Sequence, residues 1–422
     1  MEKQFTVAIL GCGSRGAIFT KHMLNTPERY KIVALCDPDR KQIEKMHNLY
    51  GLKDVVEYLD DKAFLAAPRA ADLLVIASPD REHVWQAVRG MELGYDILLE
   101  KPISDDREEI ALLLDTQRKT GRKVIVCHEL RYGKGYLKCK EILDSERLGN
   151  LYAIDATERV AYWHWTQAYV KGVGASIELG YPAILAKCSH DLDLIQSYAK
   201  SECVSVSSVG ELRFFKKENA PEGAADRCVD CSYIDSCPYS AKRIYIDGWH
   251  KAGEPEFKWP YTKVSIQVPL NEDALWEGIR KGSQGRCVFK CQTDLVDHQM
   301  VQMTFKNGVK ASLKMVYAAE MGRKYIFYCD RGELILDERT ETIEIMPFGE
   351  PKEVIDIKSL LQSGQKGHGG GDAEIINKLY YILSGEEEGT TTLKESIECH
   401  LMGIAAEESR QCGGKLVPVH MQ

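Results

Sequence analysis

Phe5-Thr6-Val7-Ala8-Ile9-Leu10-Gly11-Cys12-Gly13-Ser14-Arg15-Gly16 is the stretch that decides the fold. A mostly apolar run of strand length meets G-x-G-x-x-G. A helix-like stretch follows, and a second strand, Lys31–Cys36, ends on Asp37. Each position has a physical task. Gly11 permits the tight turn, Gly13 lets the backbone approach a pyrophosphate, and Gly16 lets helix and strand pack closely. Ser14 and Arg15 open the helix, whose N-terminus offers free N–H groups and a positive dipole end to phosphate. Asp37, twenty-one residues past Gly16, is placed to accept hydrogen bonds from a ribose diol. Strand, turn, helix, strand and acid together point to dinucleotide binding rather than to a structural turn alone.

Outward from this unit, strand and helix signals alternate to about residue 128. Arg40–Tyr50 is helical in pattern, 54–59 is a short strand, and 71–79 is a buried-type strand ending in Ala77-Ser78-Pro79. Pro79-Asp80-Arg81-Glu82-His83 opens a helix, with Pro and acids in its first turn. Asp96–Leu99 is a strand closed by Glu100-Lys101-Pro102; a helix over 104–120 ends at Gly121, and 123–127 is a sixth strand. The rhythm predicts an α/β fold with a doubly wound parallel sheet over residues 1–128.

After His128 the character changes. A helix over 136–149 and a strand over 150–161 lead into an aromatic, glycine-rich stretch at 162–182. A helix over 183–199 and a strand over 203–214 come next, while 215–297, rich in Cys, Gly, Pro and charge, reads as loop. From His298 to Pro347 the pattern is antiparallel β, with hairpin turns at Asn307-Gly308 and Asp330-Arg331-Gly332. Gly367-His368-Gly369-Gly370-Gly371-Asp372 then leads into helices at about 373–384 and 393–412. The expectation is an α+β unit over 129–422, built on a large, mainly antiparallel sheet with a Cys-rich insertion at about 215–297. One face of such a sheet is free for a homo-oligomer interface.

Composition narrows the function. A chain of 422 residues exceeds one ordinary domain. A net charge of −8 and a pI near 5.9 argue against a nucleic-acid or anionic-membrane surface. Phe5–Leu10 is too short for a signal-peptide core, and no stretch approaches the ~18 apolar residues of a membrane span. Fourteen cysteines without a secretory signal read as reduced thiols in a cytoplasmic protein.

Several side chains are candidates for chemistry. Lys101 follows a buried strand at the carboxyl edge of the sheet, where ligands bind in open α/β folds; the alternative is a solvated lysine in a Pro-bounded turn. His190 is a candidate general base, since its ordinary pKa lies near the operating pH. Asp193, on the same helix face, would orient the ring or bind a substrate hydroxyl. His128, Arg131 and Tyr132 sit just past the last parallel strand, and His164, Tyr169 and Lys171 lie in the aromatic stretch. Either group is a substrate contact or interface packing. His368 and Asp372 lie in a glycine-rich loop suited to closing over a ligand, or in a simple linker. Cys228-x2-Cys231-x5-Cys237 has the spacing of a tetrahedral metal site, with Cys287 or Cys291 as fourth ligand. Structural zinc is expected there; an iron–sulfur cluster or unrelated thiols are the alternatives.

These motifs resemble the Gfo/Idh/MocA oxidoreductases, the family of glucose–fructose oxidoreductase and inositol dehydrogenase. The resemblance covers nearly the whole chain except the Cys-bearing stretch. It rests on Gly11–Gly16, Asp37, Ala77-Ser78-Pro79 with His83, Glu100-Lys101-Pro102 and His190-Asp191-Leu192-Asp193. Cys127-His128-Glu129-Leu130-Arg131-Tyr132, Tyr162-Trp163-His164 and Ala186-Lys187-Cys188-Ser189-His190 resemble a branch often found beside carbohydrate-processing genes. Gly285-Arg286-Cys287-Val288 resembles the same branch and favours Cys287 as the fourth thiol.

The resemblance implies a Rossmann sheet and an NAD-dependent enzyme that moves hydride at a ring carbon of a sugar or sugar derivative. Ser78, Pro79, His83 and Glu100 would join the cofactor site. Lys101 would contact the nicotinamide ribose and the reacting hydroxyl. Asp37 favours NAD over NADP because a carboxylate repels the 2′-phosphate, while Arg40 leaves room for both. One departure stands out. Inositol-dehydrogenase-like members carry an aspartate four residues before the histidine, and this chain has Ala186; Lys187 beside it is a second active-site cation or a plain helix lysine. Two rival readings follow: a glycosidase working by transient oxidation, elimination, water addition and re-reduction, and a non-catalytic NAD-bound sensor.

Overall fold

The computed structural model describes residues 3–361 and 368–420; Gly367 lies outside them. The first sheet is wholly parallel, in the order β3-β2-β1-β4-β5-β6. Its strands are β1 (Phe5–Leu10), β2 (Tyr30–Cys36), β3 (Val56–Tyr58), β4 (Leu73–Ile76), β5 (Asp96–Leu99) and β6 (Val124–Val126). Helices α1 (Ser14–Leu24), α2 (Arg40–Tyr50), α3 (Asp61–Ala66), α4 (His83–Glu92) and α5 (Arg107–Thr120) cover its two faces. All four residues of β4 are buried, as a central parallel strand covered on both sides requires. Local chemistry sets the helix ends: Asp39 and Asp106 accept N–H bonds from the first turns, and Gly51 and Gly121 close α2 and α5 in the left-handed conformation.

Beyond α6 (Lys134–Asp144) lies the second sheet, whose strands are β7 (Leu151–Ala161), β8 (Cys203–Glu211), β9 (His298–Phe305), β10 (Lys310–Ala318), β11 (Gly322–Cys329), β12 (Gly332–Asp337), β13 (Thr342–Pro347), β14 (Glu353–Asp356) and β15 (Val417–Pro418). Their order is β14-β13-β12-β11-β7-β10-β9-β8-β15. Only the β7–β10 pair is parallel. A short helix, α7 (Tyr162–Trp165), starts the aromatic stretch, and α8 (Ala183–Ala199) packs on the inner face of the sheet with His190 near its middle. The outer face exposes Tyr152, Val204, Val209, Met300 and Val354 while their neighbours Ile154, Val206 and Val301 are buried.

The insertion differs from the loop expected for 215–297. It holds α9 (Gly248–Lys251) and a ten-residue helix, α10 (Glu272–Lys281), and buries its own small core of Tyr245, Trp249, Leu275 and Ile279. Asn271 caps α10 by accepting the N–H of Ala274. Of the last helices, α11 (Gly371–Ser384) returns to the first sheet, packing Ile375, Ile376 and Tyr380 with Phe5 and Tyr30. The other, α12 (Leu393–Gln411), lies between α8 and β8. Among the described residues no helix is long and apolar enough to cross a membrane.

Candidate active site

The glycine turn takes the shape its sequence demands. Gly11 has φ +96°, and a Cβ there would lie 2.4 Å from the Ala77 backbone; one on Gly16 would lie 2.0 Å from the Gly11 carbonyl. At Gly13 an added Cβ would meet nothing within 4 Å, so open space lies over the start of α1, which has no side-chain cap. Asp37 stands at the end of β2, where its carboxylate accepts the N–H groups of Cys12 and Asp39 at 2.8 and 2.9 Å. This geometry fits a dinucleotide, with free donors toward a pyrophosphate and a fixed carboxylate toward a ribose. Arg40 points away and pairs with Glu57. His83 sits between the carbonyls of Pro102 (2.8 Å) and Ser78 (3.1 Å), tying the two loops that border the site.

Lys101 is at the carboxyl edge of β5. Its ammonium donates to the Ala186 carbonyl at 3.1 Å, one helical turn before His190 on α8. Burial lowers its pKa, while Glu100 and Asp80 hold it up. His190 is 5% exposed and its Nδ1 has no partner among the described residues. Burial, then Lys101 and His368, push its pKa well below the ordinary value, so the resting ring is neutral.

The partner of His190 is not the one that helix spacing suggested. Asp193 gives both carboxylate oxygens to Arg131, at 2.7 and 2.8 Å, and lies 3.9 Å from His128. In its place Glu129 stands 3.8 Å from His190 Nε2, reaching in from the segment after β6. Arg15, turning inward from the glycine turn, pairs with Glu100, Glu129 and Asp372 together. Three carboxyls share one guanidinium. Burial first, opposed by Arg15 but helped by Glu100 and Asp372, pushes the Glu129 carboxyl up to about 8. Asp372 goes the other way: burial raises it, but the hydrogen bond and charge of His368 and the charge of Arg15 outweigh that. His368 bonds Asp372 at 3.0 Å and its ring centroid lies 5.5 Å from that of His190. Glu129 was visible in the sequence as an acid among His128, Leu130 and Tyr132 at a strand's carboxyl end, but nothing local tied it to His190.

Other expected residues are placed differently. Lys187 is held by Glu158 at 3.1 Å, and Tyr132 bonds Thr391 in the interior. Lys171 is 1% exposed, donates to the Gln284 carbonyl at 3.1 Å and lies toward the insertion rather than the site. Tyr169 packs on Trp165 and near His164. His164 also meets Trp259 of the insertion edge-on, at a centroid distance of 4.9 Å. The insertion reaches the cofactor side too. A cavity of about 170 Å³ is bounded by Gly13, Ser14 and Lys45 on one wall and by Phe257, Thr262 and Lys263 on the other.

Residues 5–128 match the family described as "Oxidoreductase family, NAD-binding Rossmann fold", named GFO_IDH_MocA. The nucleotide-binding unit is that of the Gfo/Idh/MocA oxidoreductases. The matched family is one of oxidoreductases, and relatives of the chain are named oxidoreductases and dehydrogenases. It is 23% identical over 415 residues to YteT of Bacillus subtilis, a provisional oxidoreductase by its name, across 91% of this chain and 93% of that one. Inositol 2-dehydrogenase of Streptomyces avermitilis is 26% identical over 230 residues, 54% of this chain and 61% of its own length. The fold is that of the WlbA dehydrogenase of Chromobacterium violaceum, solved with NADH and UDP-GlcNAcA. That likeness has a TM-score of 0.70 and 14% identity, over 100% of this chain and 98% of the other.

A pH profile tests the Glu129 assignment. An inflection near pH 8 is expected in kcat/KM, and Glu129→Gln should remove it while lowering kcat about 10- to 100-fold. The folded-state pKa lies above the unfolded value of 4.5, so this group's stabilising contribution is complete below about pH 4.5 and lost as pH rises through 8. An unchanged inflection in the variant would assign it to another group.

Proposed function

We propose that this oxidoreductase uses NAD to move hydride at a ring carbon of a sugar or sugar derivative, with Lys101 holding the reacting oxygen and His190 taking its proton. The observation that carries this reading is the meeting of Lys101 with the turn of α8 just before a buried, neutral His190, at the carboxyl edge of the nucleotide-type sheet. The bound dinucleotide supplies the hydride acceptor. Lys101 lies where a positive charge would stabilise an alkoxide, and Glu129, its carboxyl protonated at neutral pH, stands beside His190. Arg131 holds Asp193 and fixes the floor of the site. The aromatic stretch with His164 and Trp259 offers ring faces to sugar C–H surfaces.

This reading divides the chain into a cofactor unit (1–128) and a substrate and assembly unit (129–422). It places the enzyme in the cytoplasm as a homo-oligomer joined through the exposed face of the second sheet, where Tyr152, Val204 and Met300 are uncovered.

A glycosidase acting through transient oxidation is the second reading, and Glu129 favours it. A dehydrogenase needs only a proton acceptor, whereas eliminating an aglycone also needs an acid, and a carboxyl that keeps its proton to about pH 8 is one. The closeness of Phe257–Lys263 to the glycine turn also suits a cofactor kept through the cycle. One experiment separates the readings. The purified protein is offered free sugars and aryl glycosides with NAD⁺, and reduced nicotinamide and released aglycone are both followed. Net NADH with free sugars is expected for the dehydrogenase; aglycone release with no net NADH would assign the glycosidase. Neither signal, with NAD bound, would overturn both.

A further inference from the structure

We propose that Cys228, Cys231, Cys237 and Cys287 bind one structural zinc ion that pins the insertion to the rest of the chain. The first observation is convergence. The three closely spaced cysteines and Cys287, some fifty residues later in sequence, line one cavity of about 30 Å³ together with Arg227, Ser240 and apolar groups such as Pro221, Val288 and Phe289. That is room for a single atom-sized occupant. Backbone pairing creates the meeting: the Cys287 N–H donates to the Asp226 carbonyl at 2.8 Å, and Arg227 bridges Arg286.

The second observation concerns charge. Lys171 is almost fully buried, and its ammonium has no carboxylate within 4 Å among the described residues; it donates to the Gln284 carbonyl. The groups that act on it electrostatically are Cys228, Cys291, Cys287 and Cys237. A buried cation without a carboxylate partner is costly. Four thiolates on a divalent ion carry two negative charges, and Lys171 then becomes their counter-charge. Cys228 Sγ also accepts the Ala241 N–H at 3.4 Å.

The four thiols belong to no disulfide. The sets of three ligand atoms already within 4.8 Å of one another lie elsewhere among the described residues, so the ion would draw these side chains inward to about 2.3 Å each. All-sulfur, four-ligand coordination leaves no open position, which makes the ion structural. On binding, each thiol that is still protonated releases its proton to solvent. Cys291 turns away and donates to the Cys287 carbonyl at 3.2 Å.

Metal analysis of the full-length protein tests this. About one zinc per chain is expected in wild type, and titration of its thiols with a mercurial should release it. Cys231→Ser and Cys237→Ser should each bring zinc close to zero, while Cys412→Ser, at an exposed cysteine outside the cluster, should keep it. Wild-type protein without stoichiometric metal would overturn the proposal, as would zinc retained in a Cys231→Ser/Cys237→Ser double variant. Iron in place of zinc, with a visible thiolate charge-transfer band, would overturn the choice of ion. The wild-type measurement stands whether or not the serine variants fold.

Discussion

Lys101→Ala is expected to lower kcat about a thousandfold while leaving NAD⁺ affinity within a fewfold of wild type. The ammonium sits at the edge of β5, held by the Ala186 carbonyl and partly desolvated, so it is oriented before substrate arrives. Charge developing on the oxygen that loses its proton meets a fixed cation in a low-dielectric site, where such contacts are strongest. The glycine turn and Asp37 do not depend on Lys101, so cofactor binding survives. Lys101→Arg should not rescue, because a planar guanidinium cannot occupy the place of a compact ammonium. Turnover at saturating substrate and NAD⁺ titration of the same variant are the measurements. A loss of less than about tenfold in kcat would remove Lys101 from the chemistry.

Arg323→Met is expected to destabilise the fold by about 3–5 kcal/mol. Arg323 on β11 lies directly across from Glu158 on β7 and pairs with it at 2.8 Å. It also pairs with Asp191 of α8 at 2.9 Å, where the Tyr325 hydroxyl donates at 2.8 Å. Glu158 and Asp191 are almost completely buried, so methionine would strand two carboxylates with only Lys187 and Tyr325 as partners. Burial pushes Glu158 up, but Arg323 and then Lys187 hold it below the ordinary carboxylate value. Its contribution to stability is therefore present at neutral pH and lost as pH falls. The triple change Arg323→Met, Glu158→Gln, Asp191→Asn should recover part of the loss, because no buried carboxylate is then left without its guanidinium, although Lys187 loses Glu158. Urea midpoints read the effect, and a shift worth less than about 1 kcal/mol would mean that solvent reaches these groups.

The parts of this molecule written in local sequence were the parts that could be read there. The glycine turn, Asp37 at its fixed distance and the strand ending in Glu100-Lys101-Pro102 depend on neighbours within a few residues, and the structure has them at one sheet edge. Asp193 failed as the partner of His190 because helix spacing shows only which groups share a face. Arg131, sixty-two residues away in sequence, competes for the same carboxylate and wins with two hydrogen bonds. Glu129 was hidden for the same reason. The helix Glu272–Lys281 was legible but outweighed by its surroundings: Asn271 is a good cap, and Leu275 and Ile279 make a buried stripe, yet both sit in a region of Gly, Pro and charge. The parallel pairing of β7 with β10 had no local signal, since strands more than a hundred residues apart are matched by packing rather than by a turn.

The two-sided reach of the insertion has a kinetic meaning. Phe257–Lys263 borders the glycine turn, and Trp259 within that same segment lies against His164 of the aromatic stretch. A sugar seated on those rings would then stand between solvent and the dinucleotide. Addition should follow a compulsory order, dinucleotide first and sugar second, and a dead-end sugar analogue should be uncompetitive against NAD⁺ and lengthen its residence time on the enzyme.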